Sequence, residues 1–114
     1  AAGAALAFGS DCPVEALEPL AGIHAAVTRR RADGSPGPDG WRPEQRLTVE
    51  QAVRAFTLGA ARAAGRGEEA GTIEPGRLAD FTVLEADPFV IDPHEIRGVP
   101  VRATVVDGRV RWGS

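Results

Sequence analysis

At residue 71 the chain changes its periodicity, and that change limits its architecture more than any other feature. Before Gly71 the apolar residues recur at spacings of three and four; after it they alternate. The first spacing lines one stripe of a helix, and alternation lines one face of a strand. Leu17, Leu20, Ile23 and Val27 form such a stripe within residues 14–30. Pro13 suits the first turn of a helix there, because its missing N–H costs nothing at that place. Pro19 and Gly22 interrupt the run, so the pattern predicts an irregular opening and a firm helix from about Leu20. Arg29, Arg30 and Arg31 close it, where the helix dipole favours positive charge. A second helix is expected over residues 48–64. Thr48-Val49-Glu50-Gln51 has the form of a capping box, and Val49, Val53, Phe56 and Ala60 would be its buried stripe. Residues 32–46 between the helices read as loop, broken by three prolines and three glycines around Trp41.

After Gly71 the pattern predicts a strand over residues 79–84 and a hairpin over residues 101–112 that turns on Asp107-Gly108. Pro75-Gly76 fits a type II turn leading into the first of these strands, and Asp80 is placed to accept from nearby backbone donors. At the other end, residues 4–8 are a short apolar run followed by Gly9-Ser10-Asp11, as for a strand buried on both faces. The order strand, helix, helix, strands asks for a parallel sheet first and an antiparallel one second. Two half-architectures in 114 residues, with no Met at the start, point to an α/β piece of something larger.

A net charge of -3 gives no broad footprint for nucleic acid. No apolar run approaches the roughly 20 residues of a membrane span, and the opening residues lack the basic region of a signal peptide. A cytoplasmic location is therefore expected. Cys12 is the single cysteine, which rules out an intrachain disulfide and a Cys-rich zinc cluster. It would be a nucleophile only beside a paired His.

The most suggestive chemical group is Asp11. A carboxylate at the C-terminal end of a barrel strand points into the region where such barrels do chemistry. It can ligate a divalent metal or move a proton. The plainer reading makes it a cap for a helix starting near Pro13. His24 has no second His at four-residue spacing, and His94 follows Pro93 in a loop; packing roles are favoured for both. The Arg29 to Arg31 run reads as a solvated helix end, with phosphate binding the alternative. Trp41 would pack, or would form a substrate wall if its loop lies near a barrel mouth.

The stretch GTIEPGRLADFTVLEADPF, followed by TVVDGRV, resembles the C-terminal signature of the amidohydrolase superfamily. FGSDCPVEALEPLAGIHAAVTRR and RLTVEQAVRAFTLGAARAAG are similar to its family 3 branch, of N-substituted formamide deformylase type. The resemblance implies a (β/α)8 barrel with a β-sandwich. Residues 1–70 would then be the end of the barrel and residues 71–114 strands of the sandwich. It implies that Asp11 is the catalytic aspartate after the last barrel strand. There it would contact the metal or its water and carry a proton to the leaving nitrogen. It also implies a divalent metal, with zinc expected, and a small-molecule amide substrate whose C–N bond is hydrolysed.

The family's His-x-His pair, bridging Lys or Glu and two further His residues have no counterpart here, and His24 and His94 match no ligand position. The chain alone is therefore expected to be inert and metal-free. Its partner would be the missing N-terminal part of the same enzyme. Exposed apolar stripes and an unpaired strand would make the isolated chain oligomeric. The alternative is a non-catalytic structural or assembly module that keeps the family fold.

Overall fold

The structure, a computed structural model, describes residues 2–114. Helix α1 spans Pro19–Thr28. A 3-10 turn at Pro43–Gln45 precedes a continuous helical run made of Val49–Arg54, a π-helical turn Ala55–Gly59, and Ala60–Ala63; these three together are α2. Strand β1 is Phe81–Leu84, a 3-10 segment occupies Pro93–Gly98, and strands β2 and β3 are Val101–Val106 and Arg109–Gly113.

Helix α1 starts at Pro19, later than the stripe suggested. A proline inside a helix lacks an N–H and collides with the carbonyl four residues back, so it takes the first turn instead. Residues upstream form turns, with Val14 N–H donating to the Asp11 carbonyl at 2.8 Å, and Leu17 stays exposed. Arg29 ends the helix in a left-handed conformation, φ 56°. Helix α2 opens with the expected capping box: Gln51 N–H donates to Thr48 Oγ1 at 3.1 Å, and Thr48 N–H donates to Gln51 Oε1 at 3.0 Å. Its most buried residues are Ala52, Ala55 and Leu58, with Val49, Val53 and Phe56 partly buried. The π-turn inserts a residue into the helical repeat, so the buried face drifts away from a regular stripe.

The core gathers Ile23 and Val27 of α1, Ala52 of α2, and Ile96 of the 3-10 segment, with Leu20, Phe56 and Ile91 packed around them. Ile96 is fully buried. Helix α1 approaches Phe56 closely through Gly22, where a Cβ would come within 2.5 Å of the ring.

Residues 4–8 are not a strand. A strand exists only where a neighbour supplies the opposing N–H and C=O groups, and the sheet of this chain is completed by β1, β2 and β3 among themselves. The segment lies instead against α2. Phe8 N–H donates to the Ala55 carbonyl at 3.0 Å, and the Phe8 ring meets Phe56 edge-on at 5.5 Å.

The sheet is antiparallel, in the order β1-β2-β3. The hairpin turn falls at Asp107 and Gly108, φ 51° and 70°, as a type I′ turn requires. Asp107 N–H donates to Asp80 Oδ1 at 2.8 Å and Gly108 N–H to the Ala79 carbonyl at 2.9 Å. Residues 79 and 80 thus serve the turn, and β1 proper begins at Phe81. Gly76, φ 87°, and a bond from Arg77 N–H to the Glu74 carbonyl make the type II turn. The result is a mixed fold of helices and one three-stranded antiparallel sheet. Among the described residues no helix is long and apolar enough to cross a membrane.

Candidate functional site

Asp11 sits on the tight turn that follows the segment docked on α2. Its backbone is left-handed, φ 55°, and its carbonyl accepts from Val14 N–H. The side chain is exposed, and no hydrogen bond reaches its carboxylate among the described residues. The capping role fails for a geometric reason: α1 begins eight residues later, with Glu18 at the N-cap position. Asp11 is thus a carboxylate presented to its surroundings by a turn.

His24 and His94 are brought together, which the sequence did not suggest. Their rings lie 6.3 Å apart, nearly perpendicular at 68°. His24 is buried on α1, and Thr28 Oγ1 donates to its carbonyl at 2.8 Å. Burial first, then His94, Arg97 and Arg30, hold the His24 pKa below its ordinary value. His94 opens the 3-10 segment, its N–H bonded to Asp92 Oδ1 at 2.9 Å. Only the contact between α1 and a segment seventy residues away creates this pair, so no local spacing could reveal it.

The Trp41 ring meets two guanidinium groups, with Arg29 Cζ at 4.9 Å and Arg42 Cζ at 5.1 Å from its centroid. Arg29 Nε also donates to the Trp41 carbonyl at 3.1 Å. The ring borders an open cavity of about 450 Å³ whose walls include Leu6, Phe8, Arg29 and Leu47. Asp11 is not among those walls. Helix α1 carries the chain back beside residues 6–8, so the loop opens next to the segment that precedes Asp11.

A catalytic zinc takes three or more protein ligands. Among the described residues no group of three His, Cys, Asp or Glu side chains could hold a metal ion. Asp11 by itself does not fit one. His24 and His94 face two arginines, a setting that repels a cation.

The amidohydrolase family model matches residues 1–111. The chain belongs to the amidohydrolase family. It is 38% identical over 104 residues to the protein YtcJ of Bacillus subtilis, covering 91% of this chain and 20% of that relative. It is 35% identical over 111 residues to the N-substituted formamide deformylase of Arthrobacter pascens, covering 97% of this chain and 20% of that enzyme. An imidazolonepropionase of Bacteroides fragilis is 40% identical over 62 residues, 54% of this chain and 15% of that enzyme. The chain thus spans about a fifth of the length of the first two relatives. No solved structure matches it.

Proposed function

We propose that this chain forms the C-terminal part of a metal-dependent hydrolase that cleaves carbon–nitrogen bonds other than peptide bonds, with an amide or formamide as substrate. The observation that carries the reading is the family match across residues 1–111, joined by likeness to a formamide deformylase along 97% of the chain. In this reading residues 4–8 take their place as the last barrel strand once neighbours from the rest of the protein flank them. Residues 71–114 contribute strands to a sandwich. A divalent metal, zinc in this proposal, would be held by the remainder of the protein and would supply polarisation of the substrate carbonyl. Asp11 acts as the proton carrier: its carboxylate takes a proton from the attacking water and delivers it to the nitrogen as the C–N bond breaks. The 114-residue chain alone is inert, self-associates, and has the N-terminal remainder as its natural partner in the cytoplasm.

Asp11→Asn in the longer protein is the decisive variant. The amide has nearly the carboxylate's size but cannot accept the proton, so kcat should fall about 10²–10⁴-fold with the circular dichroism spectrum unchanged. Full turnover with Asn in place would reduce Asp11 to a turn residue and end its role as the proton carrier.

A further inference from the structure

Helix α1 and the Pro93–Gly98 segment make the most extensive contact outside the sheet. Ile96 fills its centre, and four nitrogen-bearing side chains rim it: His24 and Arg30 from the α1 side, His94 and Arg97 from the other. Arg30 Nη1 lies 3.4 Å from His94 Nδ1. A guanidinium can only donate, so His94 Nδ1 must be the unprotonated acceptor. Arg30 is itself held in place by a bond from its Nε to the Gly34 carbonyl at 3.1 Å.

The acidic groups nearby do not neutralise this rim. Asp92 is engaged by the His94 backbone N–H, and neither Asp92 nor Glu95 forms an ion pair within 4.0 Å among the described residues. Helix α2 meets the same core through Val49, Ala52, Val53 and Phe56, none of which titrates. The adjoining cleft, about 690 Å³, is lined by both Glu95 and Arg97 and so has no clear preference for an ion of either sign.

We propose that the contact between α1 and residues 93–98 is a clasp released by protons, closed while His24 is neutral. A proton on His24 puts a charge on a buried ring that already faces Arg97 and Arg30. The depressed pKa of His24 agrees in sign: the open form binds that proton more tightly than the closed form. Closure is therefore complete above about pH 6.5, the ordinary histidine value, and is lost as pH falls below it. The segment leads directly into β2, so opening uncouples the sheet's central strand from the helices.

Hydrogen exchange of the whole protein tests this, read on peptides covering residues 93–99 and corrected for intrinsic rates. Protection should fall severalfold between pH 7.5 and pH 5.5, with about tenfold the ceiling for one histidine kept neutral in the closed form, since pH 5.5 lies about one unit below the ordinary histidine value. Equal protection at both pH values overturns the clasp. In H24Q, whose amide at residue 24 cannot titrate, protection should be flat with pH. An undiminished pH effect in that variant also overturns it. Arg30→Gln provides a milder second variant; it removes a repelling charge and should shrink the pH effect, and an unchanged effect would exclude Arg30 from the clasp.

Discussion

Ile96 on the 93–98 segment is fully buried, whereas Trp112 on β3 leaves 59% of its surface exposed. The contrast extends to their surroundings. The helices and the 93–98 segment close a core using residues of this chain alone. The sheet does not. Paired residues of neighbouring strands share a face, which puts Val83, Ala103, Val105 and Val110 on one side and Trp112 on the other. Val83, Val110 and Trp112 are all exposed, so apolar surface remains on both sides. An antiparallel sheet usually buries one face and wets the other. A sheet apolar on both sides suits burial between further layers, in keeping with the sandwich proposed for the longer protein. The first region carries its own stability, and the second depends on what covers it.

Substitution should separate the two regions. The largest effect is expected at Ile96→Ala, which removes the most deeply buried side chain and leaves a cavity. Urea denaturation should show a loss of about 2–5 kcal/mol. A loss under about 1 kcal/mol would mean that the helical core is no better closed than the sheet. Thr48→Ala comes next. It breaks the reciprocal cap of α2 and should cost about 0.5–2 kcal/mol in the same measurement. The smallest effect on stability belongs to Trp112→Ser in the isolated chain, under about 0.5 kcal/mol. Light scattering at micromolar concentration should nonetheless show weaker self-association. If the substitution costs the isolated chain more than 2 kcal/mol, the sheet is already covered and the contrast collapses.

Legibility in the sequence follows the range of the interaction. The α2 cap, the Asp107-Gly108 hairpin and the Pro75-Gly76 turn each depend on residues within four of one another, and each is found as read. The partner of Asp80 was readable as a backbone donor because the hairpin brings Asp107 back to it. Residues 4–8 misled because apolarity signals burial only where a neighbour exists: here residues 4–7 stay exposed, and Phe8 alone packs half-buried on a helix. The burial of Ile96 and the meeting of His24 with His94 come from segments about seventy residues apart, beyond any periodicity. At the site, the Gly9-Ser10-Asp11 turn was legible as the end of a segment, while the cavity that Trp41 shares with Leu6 and Phe8 depended on the direction in which α1 returns.

The widened turn at Ala55–Gly59 has a mechanical consequence for Asp11. The Ala55 carbonyl receives Ala60 N–H from five residues ahead and, at the same time, Phe8 N–H from outside the helix. It works as a mooring post, and the strand of chain tied to it ends three residues later at the carboxylate. Gly59 keeps the berth clear, since any side chain there would strike the Leu6 carbonyl. The reach of Asp11 is therefore set by how tightly one helical turn is wound: rewinding residues 55–59 to an ordinary α-turn would shift the post and draw the carboxylate along with it.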